Sequence, residues 1–165
     1  MFQSSTSPCL QTKRLTLAPM PPDAVRVLIE RARVSDPELA QAYTEMLDGA
    51  LAHPESALWY LPWRFSLRGG DAMIGDACFK GFPESGAPEV GYGLDADYWN
   101  RGYATEGVAA LCRWALAQPG VTGIEAETAP DNAASQRVLE KLGFQPTGAT
   151  GEEGPRFHLK KQSEV

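Results

Sequence analysis

The chain has 165 residues, 43% hydrophobic and 22% charged, which suits one domain with a sizeable core and leaves no room for two ordinary ones. Fifteen Lys and Arg stand against 21 Asp and Glu, a net charge of −6, with no basic run to form the patch that a duplex nucleic acid needs. No stretch approaches the roughly 18 apolar residues of a membrane span, and the N-terminus lacks the basic patch and apolar core of a secretory signal, so neither nucleic acid nor membrane is an expected partner.

Cys9, Cys78 and Cys112 lie far apart and never as a Cys-x-x-Cys pair, which fits a reducing, cytoplasmic location. Cys78 and Cys112 read as small core residues. His53 and His158 have no partners at ligand spacing, and no metal is expected.

In chain order, residues 1–9 read as a flexible terminus before one domain over residues 10–165. Arg14-Leu15-Thr16-Leu17 alternates as a strand that ends at Pro19. Pro21-Pro22-Asp23 starts a helix with Val25, Leu28, Ile29 and Ala32 on one face. A second helix is expected from Asp36-Pro37 to about Ala52, burying Leu39, Ala42, Tyr43, Met46 and Leu47. Leu58–Leu67 reads as a strand in which Pro62 suggests an edge or a bulge. Gly69-Gly70-Asp71 turns the chain into the strand Met73–Phe79, and Glu89–Leu94 is a further strand. Tyr103–Ala117 is a helix with Ala104, Val108, Leu111, Cys112 and Ala115 in one stripe and Gly120 past its end. There follow a strand Gly123–Thr128, a helix from about Asn132 to Leu142 capped by Gly143, and strands from Phe144 and from Pro155. This is an α/β (α+β) order of about seven strands and about four helices.

The run Glu89 to Glu106 takes a strand through a loop into a helix, with Gly102 just before the helix starts. First-turn amides have no internal acceptor and the helix dipole adds positive potential, so this is an anion site suited to a pyrophosphate. Gly102 and Ala104 keep the loop free of bulk. The second constellation is a strand followed by Pro130-Asp131-Asn132-Ala133-Ala134-Ser135 and a helix running to Gly143-Phe144, where Asn132 and Ser135 are placed as caps.

These two segments, in this order, resemble the GNAT superfamily of acyl-CoA-dependent N-acetyltransferases. Leu10 to Leu17 and Asp97 to Glu106 are most similar to its RimJ/RimL-like ribosomal-protein branch, and the likeness spans roughly Leu10 to Lys160. The resemblance implies a mixed, mainly antiparallel central sheet and acetyl-CoA as co-substrate. It implies that the backbone of Tyr92, Gly93 and Leu94, at a splayed point of the strand, pairs with the pantetheine arm. It assigns the pyrophosphate to Asn100, Arg101, Gly102, Tyr103, Ala104 and Thr105, and a hydrogen bond beside the thioester to Asn132. Trp99 stands where the family loop has Gln or Arg, which leaves core packing as its expected use.

Amide formation needs a neutral amine, and an α-amine of pKa about 7.8 is about 14% neutral at pH 7 against about 0.04% for lysine. Two carboxylates are candidates for the base, Glu127 and Glu89, each matching a glutamate used by some relatives; alternation does not decide between them at a splayed strand, and water remains open. The family's thiolate acid is a tyrosine seven residues after the motif asparagine, and here that position is Leu139. Ser135 is the nearest hydroxyl and resembles the RimL-like arrangement. The expected reaction is direct attack of a primary amine in a ternary complex, by a monomer or homodimer. Protein N-termini and small-molecule amines remain open as acceptors. The alternative is a non-catalytic acyl-CoA-binding module.

Overall fold

The computed structural model describes residues 7–162, so residues 1–6 of the expected flexible terminus, and residues 163–165, lie outside it. Eight strands form one sheet in the order β1-β2-β3-β4-β5-β6-β8-β7. They are β1 (Leu10–Gln11), β2 (Leu15–Pro19), β3 (Trp63–Leu67), β4 (Met73–Phe79), β5 (Glu89–Leu94), β6 (Gly123–Glu127), β7 (Gln145–Thr150) and β8 (Pro155–Lys160). All neighbours run antiparallel except β5 and β6. The helices are α1 (Pro22–Ser35), α2 (Pro37–Ala52), α3 (Tyr103–Leu116) and α4 (Ala133–Lys141). The mixed, mainly antiparallel sheet is therefore as expected, with an eighth strand, β1, too short to leave an alternating pattern.

Three expectations are corrected. Pro54–Trp59 is a 3-10 turn, and the strand starts only at Trp63, because Pro62 has no N–H to give to a ladder. β3 lies between β2 and β4 and is no edge; the irregularity is a bulge at Phe65 and Ser66. Leu39 is 42% exposed, at the margin of the buried row Ala40, Tyr43, Leu47 and Ala50 of α2.

Two apolar layers sandwich the sheet. On one face α3 packs Val108, Leu111 and Ala115 against Leu15, Leu17, Trp63 and Phe65, all at 1% exposure or less. Gly107 allows the close approach, since a Cβ there would stand 2.5 Å from the Phe65 ring. On the other, Val25 and Ile29 of α1 and Tyr43 and Leu47 of α2 enclose Met20 and Leu61. The two buried cysteines, Cys78 and Cys112, are free thiols in this interior.

Candidate active site

The site begins with a failure of strand pairing. β5 pairs with β4 continuously from Val90 to Leu94, but with β6 only at Glu89 and Val90. Past Val90 the two parallel strands part, and the backbone of Gly91 to Leu94 borders a gap. A cleft of ≈ 640 Å³ opens there, between the end of β5, the start of α3 and the first turns of α4. Of the residues expected to hold the cofactor, all except Arg101 line this cleft, and Ser135 joins them.

The loop before α3 is shaped by two left-handed residues, Asn100 (φ 60°) and Gly102 (φ 80°). Asn is among the few side chains that tolerate this region, and glycine is free to adopt it. Gly102 O then accepts from Glu106 N at 3.0 Å, which closes the first helical turn. Arg101 instead serves through its carbonyl, which accepts from Arg14 Nη1 at 2.9 Å. The Arg14 guanidinium lies 4.2 Å from the centroid of the Tyr103 ring, and its Nε reaches Glu106 Oε1 at 2.7 Å. Thr12 and the Arg14 amide also donate to Glu106. Burial by itself would raise the Glu106 carboxyl; the hydrogen bonds from Thr12 and Arg14 outweigh it and hold the group below its ordinary value. The β1–β2 turn thus braces the loop before α3, a role the sequence did not suggest for Arg14.

Trp99 does not enter the core. It is 59% exposed, and its Nε1 donates to Leu94 O at 2.8 Å, clamping the end of β5 to the loop. Asn132 caps α4 by accepting from Ser135 N at 3.1 Å. Ser135 Oγ sits 2.9 Å from Tyr92 Oη, and either hydroxyl can donate; Tyr92 also donates to Ser135 O at 3.3 Å. Burial pushes the Tyr92 phenol up, against the Ser135 bond. Leu139, at the position of the family tyrosine, is 0% exposed.

Glu89 and Glu127 stand outside the cleft, on the α2 side of the sheet. Arg156 bridges them, with Nη2 at 2.9 Å from Glu89 and Nη1 at 3.2 Å from Glu127. Lys80 also pairs with Glu89. Burial would raise the Glu89 carboxyl, but Lys80 and Arg156 hold it below its usual value. A Cβ at Gly151 would fall 1.3 Å from Glu127 Oε1, so a side chain there would displace that carboxylate. A second concavity of ≈ 520 Å³ lies over this network. Further along the same face, Tyr43 of α2 donates to Asp76 Oδ2 of β4 at 2.8 Å. Neither residue carries a local sequence signal, being 33 positions apart.

The acetyltransferase (GNAT) domain family matches residues 14–145. The uncharacterized N-acetyltransferase p20 of Bacillus licheniformis is 31% identical over 84% of this chain and 83% of its own length. A Bacillus subtilis relative, the uncharacterized N-acetyltransferase YjdG, is 38% identical, but the match spans only 44% of each chain. Among solved structures, apo RimL, the ribosomal L7/L12 alpha-N-protein acetyltransferase, superposes with a TM-score of 0.73 at 14% identity, covering 97% of this chain and 98% of that one. RimL in complex with coenzyme A gives 0.70 at 14% identity, over 93% and 96%.

Proposed function

This chain belongs to the GNAT acetyltransferase family, and from that premise we propose that it is an enzyme moving an acetyl group from acetyl-CoA to a primary amine by direct attack in a ternary complex. The observation that carries the reading is the Tyr92–Ser135 hydroxyl pair, placed where β5 leaves β6 and within one cleft with the Gly102 loop. Acetyl-CoA supplies an activated thioester. Amides at the start of α3 and the loop Asn100 to Thr105 hold its phosphates, and the free backbone edge of Tyr92, Gly93 and Leu94 aligns its arm. The cleft suits this group: a Cβ at Gly102 would meet only the Arg14 guanidinium, 3.2 Å away. Asn132 orients the arm while it caps α4. The Ser135 hydroxyl donates to the departing sulfur, with Tyr92 holding it in line.

A carboxylate or water on the α2 side relieves the amine of its proton; Glu89 and Glu127 lie there. The likeness to RimL and the runs Leu10 to Leu17 and Asp97 to Glu106 support the RimJ/RimL-like branch, which makes a protein N-terminus the first acceptor to try. The test is thiol release from acetyl-CoA with peptides bearing a free α-amine and with small amines. Turnover supports the enzyme. Calorimetric binding of acetyl-CoA without turnover on any amine replaces it with a non-catalytic binding module.

A further inference from the structure

The face of β5 away from α3 and α4 bears no side chains at the splay: Gly91 and Gly93 both point there, by alternation with Val90, Tyr92 and Leu94. A Cβ at Gly93 would meet nothing within 4 Å and one at Gly91 only Cys78 Sγ at 4.0 Å, so this strip is open space. In the register of β4 with β5, Asp76 is the partner of Gly93. Cross-strand partners stand with their Cβ positions about 5 Å apart on one face, so a group resting on Gly93 lies beside the Asp76 carboxylate. Among the described residues no ion pair reaches Asp76; its one side-chain partner is the Tyr43 hydroxyl. Arg64, its register partner on β3, makes no ion pair with it. The other carboxylates of this face are different: Glu89 at the start of β5 and Glu127 on β6 are both held by Arg156.

Resting on the acetyltransferase reading above, we propose that Asp76, held in place by Tyr43, is the base that takes the proton from the acceptor amine, and that Glu89 and Glu127 form the wall of the acceptor site. As the amine nitrogen bonds to the acetyl carbon, its proton passes to an Asp76 oxygen, directly or through one water. The C–S bond breaks with its electron pair on sulfur, and the thiolate takes a proton from the Ser135 side or from water. Base and acid thus work from opposite faces of one strand, Asp76 beside Gly93 and Ser135 beside Tyr92.

The titration of Asp76 agrees with this geometry. Burial pushes its carboxyl up to about 6, against the Tyr43 hydrogen bond, which lowers it, and with Asp95 adding to the rise. Such a group is mostly ionised at neutral pH and close enough to it to accept a proton well. Tyr43 from α2, Asp95 beyond β5, Cys78 on β4 and Arg64 on β3 are the titratable and charged groups around it.

The test compares Asp76→Asn with the unaltered protein on two amines: a short peptide with a free α-amine, and methoxyamine, which is already neutral at pH 7 and whose weakly basic nitrogen, once bonded to the acetyl carbon, is acidic enough to give its proton to water. Asp76→Asn should lower kcat/KM about 100-fold on the peptide and by less than about threefold on methoxyamine, with the calorimetric Kd for acetyl-CoA unchanged. No loss on the peptide, or equal loss on both amines, overturns the assignment. A loss of that pattern in Glu127→Gln or Glu89→Gln instead assigns the base to that carboxylate. If Asp76→Asn fails to fold, Tyr43→Phe takes its place. It removes the bond that lowers Asp76, so the acid limb of the pH profile, and the Asp76 carboxyl titration followed by carbon-13 NMR, should both move to higher pH. An unmoved pair overturns the proposal. Absence of turnover in the unaltered protein on every amine removes the acetyltransferase reading and this role with it, whereas turnover undiminished in Asp76→Asn removes the Asp76 role alone.

Discussion

The two faces of β5 are made in different ways. Toward α3 and α4, the cleft is drawn from two local runs, residues 92–105 and 132–141. Toward α2, the surface is assembled from Tyr43, Asp76, Lys80, Glu89, Glu127 and Arg156, which come from five separate elements or their flanks. A backbone site depends on where a helix starts and where a glycine turns, and both are encoded within a few residues. A side-chain site depends on register across the sheet. On the proposed reading the first face takes acetyl-CoA and the second faces the acceptor amine.

If that contrast holds, variants of the first face should change acetyl-CoA affinity or the handling of sulfur, and never the choice of amine. The largest effect expected there is from Ser135→Ala, with turnover down roughly ten- to hundred-fold and acetyl-CoA affinity little changed. Tyr92→Phe, which leaves the Ser135 hydroxyl without its 2.9 Å partner, should reproduce part of that loss. Steady-state kinetics well below the melting temperature decide it, and full turnover in Ser135→Ala hands the proton to water. Next, Gly102→Val should weaken acetyl-CoA binding about ten-fold or more if it folds, measured by calorimetry. A β-branched residue is strained at φ 80°, and its bulk fills the space beside the helix amides.

Much of the first face was legible in the sequence for the same local reason. The glycine before α3, the Asn132 cap and the splayed strand all stand where the motifs put them. What escaped was side-chain direction. Trp99 reads as core because it stands where the family loop has Gln or Arg, yet its indole N–H serves as a clamp on Leu94 O at the surface. Tyr92 was legible only as backbone, because its pairing with Ser135 spans 43 positions. Asp76 escaped too, in a strand, MIGDACF, that no motif marks. The β4–β5 register that sets it beside Gly93 is not encoded near it. β1 was lost because two residues carry no periodicity.

Smaller effects sharpen the boundary between scaffold and site. Asn132→Ala should cost about 1 kcal/mol through the lost cap and also lower turnover per folded molecule; chemical denaturation and kinetics on the same sample separate the two. The brace from the β1–β2 turn gives a pH signature. Because Glu106 is held below its ordinary value of 4.5 in the folded protein, its ionised form stabilises the fold above that pH. The contribution is lost as pH falls through the folded-state value. Thermal melts of Glu106→Gln and the unaltered protein should therefore differ at pH 7 and converge in acid. A constant gap would mean that Glu106 acts by packing alone.

The two register pairs that join β5 to β6 also set how the molecule breathes. They divide the sheet into β1–β5 and β6–β8, each half continuous along the chain and antiparallel within itself. Every other interior strand pair has at least four register pairs, so rocking at this seam breaks fewer backbone hydrogen bonds than elsewhere in the interior of the sheet. Deuterium should enter first at the amides of Gly91 to Leu94 that border the gap. A molecule lying along that edge would act as the strand the chain leaves out, stiffening the joint and slowing exchange in both halves at once.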